Sequence, residues 1–149
     1  MASQILVPID GSPLSEKALA VALESESDAT IQTLHVIDPT EPGYSYVSLE
    51  TAPHELPQYG SQAWYDRADE YAEAVFEAAH AQASEFDTEI STATRVGRPG
   101  REIVRCIEDE SIDHVVIGAH GREDASRSLV GGVAEAVVFR SPVRVTVVK

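Results

Sequence analysis

Lysine is nearly absent from this chain. Lys17 and Lys149 are its only two, and arginine supplies the rest of 11 basic residues set against 25 acidic ones. The resulting formal charge of −14 repels nucleic acid and anionic lipid, so neither a nucleic-acid nor a membrane partner is expected. Cysteine occurs once, as Cys106, which excludes an internal disulfide. Its neighbours Ile103, Val104 and Ile107 predict a small buried hydrophobe rather than a nucleophile. No apolar run approaches the roughly 20 residues that span a bilayer. No basic region precedes the apolar run Ile5-Leu6-Val7, so no secretory signal is visible and a cytoplasmic location is expected.

Several chemical signatures are missing too. There is no G-x-x-x-x-G-K-[ST] loop, no G-x-G-x-x-G after the first strand, and no G-x-S-x-G elbow. His35, His54, His80, His114 and His120 show no metal-ligand spacing, and His120 reads as a loop residue or hydrogen-bond partner. No acid/base pair stands out. A surface rich in Asp and Glu, poor in Lys and accompanied by many Ala residues points to a halophilic protein. There salt screens the self-repulsion of a carboxylate coat.

What is present is a regular alternation over 149 residues, a length that suits one domain, 1–149. Ile5 to Ile9 reads as a strand buried on both faces. Asp10-Gly11-Ser12-Pro13 ends it, with Ser12 a helix N-cap and Pro13 the first helical residue. Leu14, Ala18, Val21 and Ala22 keep helical spacing as far as Ser25, and Thr30 to Ile37 forms a second strand. Asp38 to Gly60, rich in Pro and Tyr, reads as a long loop of the kind used for lids or insertions. A helix from Ser61 to about Phe86 carries Trp64, Ala68, Tyr71, Val75 and Ala79 on one stripe. Thr88 to Val96 places Ile90, Thr92, Thr94 and Val96 on one side, with Glu89, Ser91 and Arg95 opposite, a half-polar pattern that suits an edge strand. A helix through Ile103 and Ile107, a strand to Ile117, a helix through Phe139 and a strand from Val143 to Val148 complete the chain. Strands and helices alternating in this way imply an α/β fold, a parallel sheet covered by helices on both faces.

Two strand ends carry suggestive chemistry, because ligands of open parallel sheets settle at the carboxyl ends of strands. After the first strand, the Asp10 carboxylate either accepts hydrogen bonds from ribose hydroxyls or caps the turn. After the fourth comes Gly118-Ala119-His120-Gly121, then 122–130 and Gly131-Gly132. Strand, glycine-studded loop and helix is the order that offers backbone N–H groups to a phosphate. Gly118 and Gly121 serve either that approach or a tight turn. Arg122 and Arg127 either pair with an anion or answer Glu123 and Asp124, and Ser126 and Ser128 add hydroxyl donors.

Gly118-x2-Gly121-x9-Gly131 resembles the G-x2-G-x9-G-[ST] motif of nucleotide-binding universal stress proteins. Val7-Pro8-Ile9-Asp10-Gly11-Ser12 is similar to that family's opening strand and turn, and Leu34-His35-Val36-Ile37 to its second strand. Val96-Gly97-x-Pro99 and Ser141-Pro142-Val143 are similar to later landmarks, so the resemblance spans the whole chain. It implies a single-domain, Rossmann-like open sheet of five parallel strands in the order 3-2-1-4-5, of the adenine nucleotide α-hydrolase type. It further implies an ATP or AMP site between strands one and four. Pro8, Ile9 and Asp10 would flank the adenosine, with Asp10 on the ribose, and Val36 would meet the adenine through its backbone. Gly118, Gly121, Arg122, Gly131, Gly132 and Val133 would surround the phosphates, with Mg²⁺ one means of offsetting Glu123 and Asp124. It also implies a homodimer through the last strand, with which Val143, Val145 and Val147 on a terminal edge agree. One departure stands out: Gly132 occupies the Ser/Thr position, which removes a hydroxyl worth roughly 1 kcal/mol and keeps the backbone N–H.

Three functions follow. The first is a nucleotide-holding stress-response module, and the second an interaction protein of the same fold without nucleotide. The third, a slow ATPase or nucleotidyl transferase, has least support, because Asp10-Gly11-Ser12 lacks the extra glycines of a pyrophosphatase loop.

Overall fold

The alternation in the sequence is realised element by element. A computed structural model describes residues 3–25, 28–39, 60–121 and 131–149. In chain order these form β1 (Gln4–Pro8), α1 (Pro13–Ser25), β2 (Thr30–Ile37), α2 (Gln62–Ser84) and β3 (Ile90–Val96). They continue as α3 (Pro99–Asp109), β4 (His114–Gly118), α4 (Gly132–Arg140) and β5 (Arg144–Val148). The five strands pair in parallel in the order β3-β2-β1-β4-β5, the expected topology. Most of the Asp38 to Gly60 loop, residues 40–59, lies outside the described residues. So do 122–130, with Arg122, Glu123, Asp124, Ser126, Arg127 and Ser128.

Burial follows from strand periodicity. Successive side chains of β1 point to opposite faces, so Ile5 and Val7 join one apolar layer and Leu6 the other. The first layer is closed by α1 and α2 through Ala18, Leu19, Ala22, Val75 and Ala79. The second is closed by α3 and α4 through Ile103, Cys106, Ile107, Ala134 and Val137. Covering both faces explains why β1 reads as a continuous hydrophobic run. Cys106 is fully buried, as its neighbours predict, and burial pushes its thiol pKa up.

Helix starts match their local signals. Ser12 caps α1: its Oγ accepts the Ser15 N–H at 3.2 Å, and Pro13 stands at the first helical position. Ser61 caps α2 in the same way, accepting from the Trp64 N–H at 3.2 Å. On α2 the buried stripe is Trp64, Ala68, Ala72, Val75, Ala79 and Ala83, with Tyr71 half-buried at its margin.

The pattern in β3 has a different meaning from the one its alternation suggests. The strand does lie at the sheet edge, but of Ile90, Thr92, Thr94 and Val96 only Ile90 is buried, and Val96 is 52% exposed. On the opposite face Ala93 packs into the α3–α4 layer, and Arg95 pairs with Asp109 of α3 at 3.0 Å. Cover on this strand is therefore divided, Ile90 lying in the α1–α2 layer and Ala93 in the α3–α4 layer, and a half-buried arginine is tolerated because its guanidinium reaches a carboxylate.

Candidate functional site

The strand order puts β1 beside β4, where the winding of the sheet reverses direction. At the carboxyl ends of these strands lies a cavity of about 390 Å³. Nine of the ten residues singled out by sequence line it: Pro8, Ile9, Asp10, Val36, Gly118, Gly121, Gly131, Gly132 and Val133. The tenth, Arg122, lies outside the described residues. The cavity is graded in chemistry. Leu34, Val36, Ile103 and Ile117 make an apolar part, Asp10 adds a carboxylate, and the start of α4 adds backbone N–H groups. Among the described lining residues Asp10 is the single carboxylate, and there is no lysine or arginine.

Asp10 is 6% exposed: it is the turn residue of one of the two readings, and it also stands in the cavity wall. Its Oδ1 accepts the Ser12 N–H at 2.9 Å, an Asx turn that ends β1 and opens α1. Its Oδ2 faces Gly121: a Cβ at Gly121 would stand 2.5 Å away from that oxygen. Asp10 and the loop after β4 thus touch, and a side chain at residue 121 would have to push the Asp10 carboxylate aside.

The other glycines act differently. A Cβ on Gly118 would stand 2.9 Å from the Leu14 carbonyl carbon and 3.0 Å from its Cβ and O. Gly118 therefore lets the first turn of α1 rest directly on β4. Neither Gly118 nor Gly121 has a positive φ, so neither is glycine for the sake of a left-handed backbone. At Gly132 a Cβ would meet nothing within 4 Å among the described residues, so the lost Ser/Thr position borders the cavity without a described neighbour. Gly131 is the N-cap of α4, and α4 has no side-chain cap hydrogen bond. Its own N–H is spent on Ala119 O at 2.6 Å, which leaves the first-turn N–H groups of α4 as the donors an anion would meet.

Sequence reasoning did not single out Ser12, Ser15, Leu34, Ile103 or His120 as wall residues. Leu34 had a usable signal, since it lies two residues before Val36 on the same strand face. Ile103 had none, because α3 reaches the cavity only through packing. His120 is half-buried in the wall, and among the described residues no three His, Cys, Asp or Glu side chains are grouped to hold a metal. Also among the described residues, no helix is long and apolar enough to cross a membrane.

Known proteins share this architecture. The universal stress protein MJ0531 of Methanocaldococcus jannaschii is 30% identical over 149 residues, 98% of this chain and 81% of that protein. The solved structure of MJ0577, from the same organism, superposes with a TM-score of 0.79 at 29% identity, covering 100% of this chain and 96% of the other. A universal stress protein solved in complex with cAMP has a TM-score of 0.69 at 22% identity, covering 99% of this chain and 97% of that one. One from Arabidopsis thaliana, solved with AMP bound, has a TM-score of 0.66 at 17% identity, with 99% and 91% covered, and at that identity shows the fold alone. The universal stress protein family model matches residues 1–149, and the chain belongs to that family.

Proposed function

We propose that this protein binds ATP or AMP in the β1–β4 cavity and acts in the cytoplasm as a homodimeric stress-response module. The observation that carries the reading is the graded cavity wall. Leu34, Val36, Ile103 and Ile117 suit a purine, Asp10 suits ribose hydroxyls, and the N-terminus of α4 suits phosphate. Relatives of this fold hold cAMP and AMP, which supports an adenine nucleotide. Arg122 and Gly132 belong to the phosphate end in this reading, with Mg²⁺ an added counter-charge. In this reading the second copy pairs along β5, and the exposed Val138 and Phe139 of α4 add apolar surface. A charge of −14 fits a salt-rich cytoplasm.

The test is direct. The purified protein is denatured, the released small molecules are identified, and ATP and AMP are titrated into the protein in high salt. Released or saturably bound adenine nucleotide is the expected result. No released nucleotide, together with no saturable binding at about millimolar ATP (a standard free energy near −4 kcal/mol), refutes the reading in favour of an interaction protein without nucleotide.

A further inference from the structure

Beyond Pro8 the chain has left the sheet, yet all four backbone polar groups of Ile9 and Asp10 are paired. The Ile9 N–H donates to Leu34 O at 2.8 Å, and the Asp10 N–H donates to Ser15 Oγ at 3.4 Å. The two carbonyls take partners from distant elements. Ile9 O accepts from His35 Nδ1 at 2.9 Å, and Asp10 O accepts from the Tyr71 hydroxyl of α2. A carbonyl only accepts, so the His35 proton in this bond sits on Nδ1. His35 is fully buried, with its ring edge-on to Tyr71 at 5.6 Å between centroids.

Gly11 is shaped for this contact. Its φ of 82° is left-handed, and a Cβ there would stand 2.5 Å from the Tyr71 hydroxyl oxygen. The turn therefore admits the hydroxyl only because residue 11 is glycine. Tyr71 holds the carbonyl of the same residue whose carboxylate lines the cavity. A peptide turned at 10–11 would carry the Ser12 N–H away from Oδ1 and release the carboxylate.

We propose that Tyr71, steadied by His35, is a positioning residue that holds Asp10 in the orientation ribose recognition requires, and so sets the preference for ribonucleotides over their deoxy forms. This rests on Asp10 meeting the ribose, as in the function proposed above. A hydroxyl-to-carboxylate bond is charge-assisted and directional, and a carboxylate free to turn loses much of it. Its full value corresponds to about tenfold or more in affinity.

The full-length wild type, Tyr71→Phe and Asp10→Ala are each titrated with AMP, 2′-deoxy-AMP and 3′-deoxy-AMP. Tyr71→Phe keeps the ring against His35 and deletes one hydroxyl. It is expected to cut the preference for AMP over the weaker deoxy form by at least about threefold, leaving deoxy affinity within about a factor of two. Asp10→Ala is expected to abolish the preference. A merely structural role for Tyr71 would weaken all three nucleotides alike. If Asp10→Ala loses the preference and Tyr71→Phe keeps it, the positioning role is overturned and the ribose reading stands. An intact preference in Asp10→Ala overturns both. Amide exchange at Ser12, whose N–H donates to Asp10 Oδ1, is an independent readout: it should quicken in Tyr71→Phe, and unchanged exchange overturns the proposal.

Discussion

One added methyl group separates the glycines of the cavity wall. At Gly118→Ala the new Cβ lies 2.9–3.0 Å from Leu14 backbone and Cβ atoms, none of them the end of a flexible chain. The first turn of α1 must lift from β4, and overpacking of this kind costs about 1–3 kcal/mol. For a domain of this size that lowers the melting temperature by about 3–10 °C. Gly132→Ala has the opposite sign. It meets no atom of the described residues within 4 Å and sits in the first turn of α4, where loss of glycine's freedom in the unfolded chain stabilises by about 0.5–1 kcal/mol. Gly121→Ala falls between them. Its clash is with a carboxylate tip that can swing, so its main effect is to displace Asp10 from the cavity, and nucleotide affinity falls before stability does. Thermal unfolding in high salt, followed by circular dichroism, reads the first two variants, and nucleotide titration reads the third. Gly118→Ala melting with the wild type, or Gly132→Ala melting below it, would refute the close-approach argument.

The buried thiol gives a pH-dependent signature. Burial raises the folded pKa of Cys106, chiefly by desolvation and partly offset by Arg95, above an ordinary value of about 8.5. The folded state then binds the proton more tightly than the unfolded one, so stability falls as pH rises past that ordinary value. Urea midpoints compared at pH 8 and 10 should fall less in Cys106→Ala than in wild type, and equal falls would contradict this. At the other surface, Phe139 is 79% exposed, and Phe139→Glu should weaken self-association at least about tenfold, the worth of burying one such side chain. Light scattering over a dilution series decides it, and an unchanged dimer, or a monomeric wild type, counts against the β5 interface.

Strand and helix positions were legible because each depends on local periodicity and end signals, such as Ser12-Pro13 for α1 and Ser61 for α2. The strand order was not legible in that way. It came from the resemblance of Val7 to Ser12 and of the glycine spacing to a family, and the pairing bears it out. How β3 is covered escaped periodicity, because α2 buries Ile90 on one face, the α3–α4 layer takes Ala93 on the other, and Arg95 counts as polar in any alternation. The reasons for the glycines were also hidden. Leu14 against Gly118, and Asp10 against Gly121, are contacts between elements distant in sequence. Tyr71 looked like one more core residue on a helical stripe, although its hydroxyl ends 61 residues back along the chain, on Asp10.

The two edges of the sheet are unequal. On β3 the exposed side chains are Ser91, Thr92, Thr94 and, at the end of the strand, Val96, and Arg95 is engaged with Asp109. On β5, Val145 and Val147 are only partly covered. A sheet adhesive along both edges would recruit copy after copy into an open-ended ribbon. In the proposed dimer, two copies related by a twofold axis would consume the β5 edge, and growth would end there. In that assembly the largely polar margin at β3 would act as a chain terminator, keeping a concentrated protein from becoming a fibre.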